Sequence, residues 1–333
     1  MPKGSSTDVR KTQSLGKSSI GVTIPKKWAD AIGLGPGSPV YLELRDDGIL
    51  IRPIAKETQR GSSIYVAADS SIDGILRMVI SSYLRGDDFI TIKFNGSNSL
   101  TKDTLFSAIK SKLAGIELIE ENTTEARVNI LSVQTQLPLS KLMHRMWLTV
   151  RGMMRDSLDL IGSGDEVLAR DVTARDDEVD KTYLLVHRLI NMAIEGRVLL
   201  NSISLQSRME LTPYLLVAKS VERSGDHAWR IAQWAPQLNA PNHAVETVKS
   251  LGMRVLELGN EAIMAFIGKN TGIAMKILDK RNILLNERVE AMEAMHEVAM
   301  DSRGYMLLVI ESIGRIAAYA FDVAETTLDA YST

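Results

Sequence analysis

The sequence predicts a multidomain protein with a small β head, a small α/β middle domain and an all-α body. Residues 1–60 are rich in glycine, proline and short β-branched runs, whereas residues 61–135 alternate between strand and helix patterns. Residues 138–333 carry helical periodicity almost throughout. The length of 333 residues, 45% of them hydrophobic, allows two or three compact domains with buried cores.

Composition excludes several classes of function. The chain has no cysteine, which excludes disulfides, thiolate zinc sites and cysteine nucleophiles. Its formal net charge is −2, so any surface that binds nucleic acid must be local. The first residues lack the pattern of a signal peptide, and the longest apolar stretch, residues 304–324, contains Glu311, Arg315 and Asp322. We therefore expect a cytoplasmic protein without membrane insertion.

The first sixty residues are basic, and the rest of the chain is acidic. They contain ten Lys or Arg and six Asp or Glu, a surplus of four positive charges, which leaves −6 for the remaining 273 residues. This asymmetry indicates a head that faces an anion. A solvated surface that is merely basic is the alternative that charge alone leaves open.

Local patterns in the head predict three strands around one short helix. Residues 20–24 alternate as a strand that Pro25 ends, and residues 26–32 form a helix that Gly33 stops. The other two strands, joined by a tight turn at Asp47-Gly48, are residues 40–44 and 49–52. So few strands cannot close a hydrophobic core alone, and we expect the head to need a partner.

The motifs of the head resemble those of AbrB/SpoVT-type swapped-hairpin domains. They are Val9-Arg10-Lys11, Leu15-Gly16-Lys17, the run Val-Thr-Ile-Pro-Lys-Lys at residues 22–27, Ile32-Gly33-Leu34, Gly37 and Asp46-Asp47-Gly48. The resemblance implies that two chains interlace into one β-barrel-like dimer, which grips DNA through basic residues on one face. It also allows a head that serves as an antitoxin or only for dimerisation.

The same resemblance implies the DNA-binding residues Arg10, Lys11, Lys17, Lys26 and Lys27. Arg10 and Lys17 match two DNA-contacting positions of the family, whereas an insertion at residues 18–21 offsets Lys26 and Lys27 from the other basic pair. Lysine contacts phosphate as a point charge and lacks the bidentate fork that reads guanine. We therefore expect these side chains to position the protein on the phosphate backbone, and we expect sequence preference to come from DNA shape more than from contacts with bases.

Residues 61–135 read as a β-α-β-α-β-β domain. The strand patterns cover residues 64–66, 89–94, 116–120 and 127–131, and helices begin after Ser71 and Thr101. This region has no glycine-rich phosphate loop, no nucleophile elbow and no metal-ligand spacing. The sequence favours a spacer or dimer-supporting module over a ligand-sensing domain.

The body reads as two three-helix bundles, residues 138–239 and 241–333. An apolar stripe repeats every seven residues at Val172, Val179, Val186, Ala193 and Leu200. A weak internal repeat relates residues 167–180 to 277–290, and residues 221–226 to 310–315. Tandem three-helix bundles fit both observations.

Two pairs of carboxylates are the chemical candidates in the body. Asp176 and Asp180, like Glu222 and Asp226, are spaced four apart and therefore share a helix face. Converging like charges raise each other's pKa unless a cation separates them, and oxygen-only ligands suit Mg²⁺, Mn²⁺ or iron. A lone pair at this spacing is ordinarily a solvated helix face, and that alternative stays open.

These pairs lie in segments that resemble the two Glu/Asp-x-x-x-Asp motifs of PhoU proteins: Asp-Asp-Glu-Val-Asp at residues 176–180 and Glu-Arg-Ser-Gly-Asp-His at residues 222–227. The resemblance implies a cytoplasmic regulator of phosphate uptake, built of two three-helix bundles that bind metal clusters. It assigns Asp176, Asp180, Glu222 and Asp226 as ligands of a divalent or iron-type metal ion, that is Mg, Mn, Fe or Zn.

The second bundle departs from the PhoU pattern. Asn286 and Glu290 replace the first acid pair, and Glu311 with Arg315 replaces the second. Because the arginine brings a positive charge that opposes a cation, we expect a metal site on the first bundle only. We expect His227 to be a helix-face partner of Asp226 rather than a ligand.

The two resemblances together imply a DNA-binding transcriptional regulator of phosphate uptake, similar to archaeal PhoU-domain regulators. The implied partners are DNA, a second copy of the chain through the head, and a phosphate transporter component. One alternative is a signalling adaptor that docks on a phosphate transporter and uses its head only to dimerise. The other is a metal-dependent enzyme; since the sequence has no catalytic triad order, P-loop or kinase motif, we expect no enzymatic activity.

Overall fold

A computed structural model describes residues 7–45, 48–53, 59–67, 70–95, 99–131 and 137–332. The chain divides into two compact units, residues 1–58 and residues 59–333. Small β hairpins, a small α/β region and a helical body follow one another in the predicted order. The α/β region and the body belong to the same unit, and the predicted division between residues 61–135 and 138–333 stays a prediction.

The head contains two antiparallel hairpins and one short helix. Gly16 has a φ of 73° in the turn between the first two strands, and Gly33, with a φ of 70°, follows the helix as predicted. The second hairpin pairs Arg45 with Gly48, and Asp46 and Asp47 of the predicted tight turn lie outside the described residues. The elements are β1 (Gln13–Leu15), β2 (Ser19–Gly21), α1 (Lys26–Ala31), β3 (Val40–Arg45) and β4 (Gly48–Pro53).

The first hairpin corrects one prediction. The strand predicted over residues 20–24 ends at Gly21, and its partner β1 was not predicted. Two of the three residues of β1, Gln13 and Ser14, are polar, so β1 has no alternating apolar pattern. Residues 22–24 do alternate, but they have no ladder partner among the described residues.

None of the described residues between 7 and 53 is buried. Leu44 is 85% exposed and Ile20 is 77% exposed, and several other large apolar side chains are also open to solvent. These further side chains are Val9, Leu15, Leu42 and Ile49. The described part of the head therefore has no hydrophobic core within one chain.

The α/β region is a four-stranded mixed sheet with two helices, which confirms the predicted β-α-β-α-β-β order. The strand order is β5-β6-β8-β7, with β5 parallel to β6 and β8 antiparallel to both of its neighbours. Ile90, Ile92 and Val128 of the sheet pack with Ile75 and Leu105 of the helices. The elements are β5 (Gly61–Val66), α2 (Ile72–Leu84), β6 (Phe89–Phe94), α3 (Ser99–Lys112), β7 (Ile116–Glu121) and β8 (Glu125–Ile130).

The body is helical throughout its described length. Three helices form the first bundle, and the middle helix of the second bundle is broken at Lys280. The predicted heptad stripe is confirmed for four of its five members, because Val172, Val179, Val186 and Ala193 of α5 are at most 1% exposed. The fifth, Leu200, lies beyond the end of α5 in a short 3-10 helix and is only half-buried, because the chain leaves the α-helical periodicity after Ile194. The helices are α4 (Leu139–Leu160), α5 (Glu166–Ile194), α6 (Leu211–Trp234), α7 (Asn242–Ile267), α8 (Thr271–Asp279), α9 (Arg281–Glu293) and α10 (Met300–Tyr331).

One hydrophobic core runs through both bundles. Helix α10 packs against α6 as well as α7, and α4 packs against α7. The apolar stretch at residues 304–324 lies in α10 and contributes Val309, Ile313 and Ile316 to that core. Among the described helices, none combines the length and the apolar character that crossing a bilayer requires.

Two glycines of α7 allow the close approach of α4. A Cβ atom on Gly252 would overlap Leu158, and one on Gly259 would overlap the indole ring of Trp147. That ring is buried, and its Nε1 donates a hydrogen bond to Asn260 Oδ1 at 3.2 Å, which fixes its position. Gly304 of α10, by contrast, has no atom within 4 Å of where a Cβ would lie.

We expect Gly259→Ala to destabilise the protein by about 1–3 kcal/mol, because the added methyl group must displace a buried ring. Gly304→Ala is the control, and it should stabilise the protein by about 0.5–1 kcal/mol because alanine favours a helix over glycine. Thermal unfolding followed by circular dichroism measures both changes. Shifts of Tm in the same direction would contradict the close packing of α4 on α7.

Candidate functional site

Four of the five basic residues predicted to bind DNA are exposed lysines without an ion pair among the described residues. Lys17 lies in the turn between β1 and β2, and Lys11 precedes β1. Lys26 and Lys27 are the first two residues of α1. All four ammonium groups are therefore open to an external anion.

Arg10 differs from these lysines because it is already paired. Its Nη2 lies 2.6 Å from Asp8 Oδ2, and its Nε donates to the same oxygen at 3.0 Å. Both side chains are exposed, so water competes for the contact and the pair can open at small cost. A phosphate contact by Arg10 would require that opening.

The second predicted site lies where α5 packs on α6. Ligand oxygens of Asp180, Glu222 and Asp226 all lie within 4.8 Å of one another, and no other such group of acidic or histidine side chains occurs in the described part of the chain. Gly225 allows this approach, because a Cβ there would lie 3.3 Å from Val179 and 3.6 Å from Asp176 Oδ1. The structure thus brings together three of the four predicted ligands.

Asp176, the fourth predicted ligand, lies beside this group. Its Oδ1 is buried without a hydrogen-bond partner among the described residues. Burial, and next the charges of Asp180 and Asp226, raise the pKa of Asp176 to about 7. Burial, with the charges of Glu222 and Asp180, raises the pKa of Asp226 to about 6. Lys112 lowers the pKa of Asp176, and Lys219 and Arg230 lower that of Asp226, but these positive charges offset burial and repulsion only in part.

These side chains fit a hard cation. They offer only carboxylate oxygens, the donors that Mg²⁺, Mn²⁺ and iron accept, and they include one buried oxygen that no group of the described residues satisfies. A bound cation would offset the burial and the repulsion that together raise the pKa values of Asp176 and Asp226. Asp176, Asp180, Glu222 and Asp226 would hold it.

Two lysines already contact the acidic cluster, which is formed by Asp176, Asp180, Glu222 and Asp226. Lys219 Nζ lies 2.6 Å from Glu222 Oε1. Lys112, the last residue of α3, lies 2.7 Å from Asp177 Oδ1 and 2.8 Å from Asp180 Oδ2. Burial alone would lower the pKa of Lys112, but its hydrogen bonds to the two aspartates raise it overall. Sequence reasoning missed Lys112, because a lysine in the last turn of a helix is ordinary.

The corresponding positions of the second bundle have a different chemistry. Asn286 and Glu290 are exposed, and Glu311 is bound by Arg288. Arg315 donates to the Tyr319 hydroxyl at 3.3 Å. The restriction of a metal site to the first bundle stays a prediction.

His227 does not form the predicted contact with Asp226. It is 9% exposed, its Nδ1 has no hydrogen-bond partner among the described residues, and its ring centroid lies 5.9 Å from that of Tyr319. Burial, and then the charges of Arg230 and Arg315, lower the pKa of His227 to about 4. The imidazole is therefore neutral at physiological pH.

Comparison with known protein families gives two matches. Residues 143–235, which include most of α4 and all of α5 and α6, match the family described as the PhoU domain. Residues 13–59 match the family described as antidote-toxin recognition MazE, a bacterial antitoxin. The first match covers the acidic cluster, and the second covers Lys17, Lys26 and Lys27.

Two curated relatives are the phosphate-specific transport system accessory protein PhoU homologues of Caulobacter vibrioides strains NA1000 / CB15N and ATCC 19089 / CIP 103742 / CB 15. Each is 34% identical to this chain over 96 residues, which are 28% of this chain and 38% of the relative. The chain thus spans less than half the length of these relatives.

Two crystal structures have a similar fold. PhoU from Pseudomonas aeruginosa aligns over 57% of this chain and 93% of its own, with a TM-score of 0.50 and 17% identity. The phosphate transport system regulatory protein PhoU from Streptococcus pneumoniae aligns over 58% of this chain and 93% of its own, with the same score and identity. The chain therefore carries a PhoU domain in its helical body and a MazE/AbrB-type antitoxin domain near its amino-terminal end.

Proposed function

We propose that this chain is a DNA-binding transcriptional regulator of phosphate uptake that acts as a homodimer and binds a metal ion in its helical body. The observation that carries the proposal is the joining, in one chain, of a MazE-type head with exposed lysines to a PhoU domain with clustered carboxylates. The relatives of the PhoU part are named as proteins of phosphate transport systems. The proposal includes no enzymatic activity.

The exposed apolar side chains of the head support dimerisation. Leu42, Leu44 and Ile49 lie on the β3–β4 hairpin and have no core to enter within the described head. An apolar surface of this kind is unfavourable in water unless another molecule covers it. A second head is the partner that the antitoxin-type fold suggests, and interlaced hairpins would bury these residues.

The lysines of the head support a contact with the DNA backbone. Dimerisation doubles the number of free ammonium groups on one small unit, and these groups bind phosphate without selecting a base sequence. Sequence preference would then come from the shape of the duplex. The acidic body, by contrast, repels DNA, so binding is confined to the head.

The α/β region contacts the proposed metal site directly, so metal binding could affect a part of the chain outside the helical body. Asp180 takes part in two interactions. Its Oδ2 accepts a hydrogen bond from Lys112 of α3, and the same carboxylate belongs to the acidic cluster. A cation that binds Asp180 therefore competes with Lys112. We propose that metal binding weakens this contact between α3 and α5, and that a phosphate transporter component is a further partner of the body.

DNA binding is tested by its dependence on salt. The full-length protein should bind random-sequence duplex DNA with log Kobs falling against log salt by about 0.9 per phosphate contact. Lys17→Ala/Lys26→Ala removes up to four contacts from a dimer, so the slope should become shallower by about 3–4. Fluorescence anisotropy over a salt series measures both slopes.

Lys141→Ala/Lys276→Ala, which removes two exposed lysines of the body, is the matched control and should retain the wild-type slope. A flat salt response of the wild type, or an unchanged slope in the head variant, would favour an adaptor that uses its head only to dimerise. Sequencing the genomic DNA that co-purifies at high and low phosphate then tests whether phosphate-uptake genes are the targets.

Metal binding is tested by removing two of the ligands. Asp180→Asn/Asp226→Asn should lose bound Mn²⁺, because neutral amides are weaker ligands of a hard cation. The wild type should gain about 2.7 kcal/mol of stability at a Mn²⁺ concentration 100 times its Kd, and the variant should gain none. Elemental analysis after dialysis and thermal unfolding measure the two effects.

The control for this variant is Glu257→Gln/Glu261→Gln, which neutralises an exposed pair of acids spaced four apart on α7. It should bind Mn²⁺ like the wild type. Equal metal content in all three proteins would refute the assignment of these ligands.

The competition between Lys112 and the metal gives a separate prediction. Lys112→Met should bind Mn²⁺ about three- to tenfold more tightly than the wild type, because a positive charge next to the site is removed. Lys110→Met, on the exposed side of the same helix turn, is the control and should leave the affinity unchanged. Isothermal titration calorimetry measures the affinities.

Hydrogen exchange provides a second measurement of this competition. Mn²⁺ should accelerate exchange in α3 of the wild type and leave α3 unaffected in Lys112→Met. Equal affinities of the two methionine variants, with no change in exchange, would show that the metal does not displace Lys112.

A further inference from the structure

A polar cavity lies between α6 and α10, next to the acidic cluster. Its volume is about 370 Å³, and it is open to solvent on one side. Three arginines line it: Arg223 and Arg230 from α6 and Arg315 from α10. Arg223 and Arg230 are seven residues apart, about two helical turns, and therefore share the face of α6 that meets α10.

These three arginines have carboxylates nearby, but none of the three forms an ion pair among the described residues. Arg223 and Arg230 are exposed and form no ion pair with a carboxylate among the described residues. Arg315 donates a hydrogen bond to the Tyr319 hydroxyl, and its guanidinium lies over the ring of the same tyrosine, 5.5 Å from the centroid. Three guanidinium groups at one cavity repel one another and are stabilised by an anion placed among them.

The inner wall of the cavity is buried and contains an unsatisfied polar atom. His227 is 9% exposed and Tyr319 is 7% exposed, and their rings lie against each other. His227 Nδ1 has no hydrogen-bond partner within the described chain. A buried nitrogen without a partner costs free energy, and a ligand in the cavity is a means of satisfying His227.

The carboxylates at the cavity do not balance the arginines. Two carboxylates also line the cavity: Glu311 is bound by Arg288, which lies outside the lining, and Asp226 is also part of the acidic cluster. The positive charge of the cavity therefore exceeds the negative charge available to it.

We propose that this cavity binds a phosphate group, held by the guanidinium groups of Arg223, Arg230 and Arg315. Planar guanidinium forks match the oxygens of a tetrahedral oxyanion, and two forks from α6 with one from α10 surround it on different sides. The ligand is inorganic phosphate or the phosphate group of a small phosphorylated compound. This inference rests on the proposed function for its biological meaning, since it gives a regulator of phosphate uptake a site for phosphate itself.

The test is calorimetric titration of the full-length protein with inorganic phosphate, in buffer that contains EDTA. The wild type should bind saturably, and Arg230→Gln/Arg315→Gln should bind at least about tenfold more weakly, because two charge-assisted contacts are lost. Arg145→Gln/Arg155→Gln removes two exposed arginines of α4 and should bind like the wild type. Circular dichroism checks that each protein is folded.

If the glutamine variant fails to fold, Arg230→Lys/Arg315→Lys retains the charge and removes the fork, and it should also weaken binding. Parallel titrations with ATP distinguish the two sources of the phosphate group: binding of either compound that depends on Arg230 and Arg315 supports the site. Absence of saturable binding of both compounds up to about 10 mM, or equal binding by all variants, overturns it.

Failure of this inference and failure of the proposed function are distinguishable. Phosphate binding is measured without DNA, and the salt dependence of DNA binding is measured without added phosphate. Absence of phosphate binding, with salt-dependent DNA binding intact, would remove only the phosphate site. Absence of salt-dependent DNA binding, with phosphate binding intact, would remove the role in transcription.

Discussion

The negative charge collected where α5 packs on α6 is the constraint on which the helical body depends. Gly225 allows the two helices to approach until carboxylates from both share one small volume, and one oxygen of Asp176 is left without a partner. Partly buried like charges are costly unless cations compensate them. Lys112 and Lys219 supply part of that compensation, and the raised pKa values of Asp176 and Asp226 indicate that it is incomplete. A cation bound there would supply the missing compensation.

Helix α6 contributes side chains both to this acidic cluster and to a surface of opposite sign. Asp226 is common to the acidic cluster and the arginine cavity, whereas Arg223 and Arg230 belong only to the cavity. A cation bound near Asp226 cancels negative charge that otherwise repels an anion in the cavity. Binding of a cation and binding of a phosphate group on α6 should therefore favour each other, and thermodynamic linkage requires the effect to be reciprocal.

Periodicity and spacing predict what lies on one helix or one strand, and they fail where the contact depends on tertiary packing. The four-residue spacing placed Asp176 and Asp180 on one helix face, because α-helical geometry fixes it, whereas the resemblance to PhoU motifs assigned them with Glu222 and Asp226 to one metal site. Lys112 could not be found in this way, since its contact depends on how α3 docks on α5. In the sequence, Arg315 stood out only because it replaces a metal ligand of the PhoU pattern. Its place at the arginine cavity depends on the packing of α10 against α6. Strand β1 was missed because three mostly polar residues carry no alternation.

The contacts that hold the α/β region on α5 differ in their sensitivity to a metal ion. Arg188 is buried and donates to the backbone carbonyls of Tyr83 at 2.5 Å and Asp87 at 2.8 Å, and no residue of the acidic cluster takes part. Lys112 instead depends on Asp180, which a cation would occupy. Under the proposed function, a bound metal ion would release the docked α/β region near Lys112 and leave it attached at Arg188. Because an effector shifts an equilibrium only by its differential affinity for the two arrangements, the free energy lost at Lys112 limits how strongly the metal can act on the head.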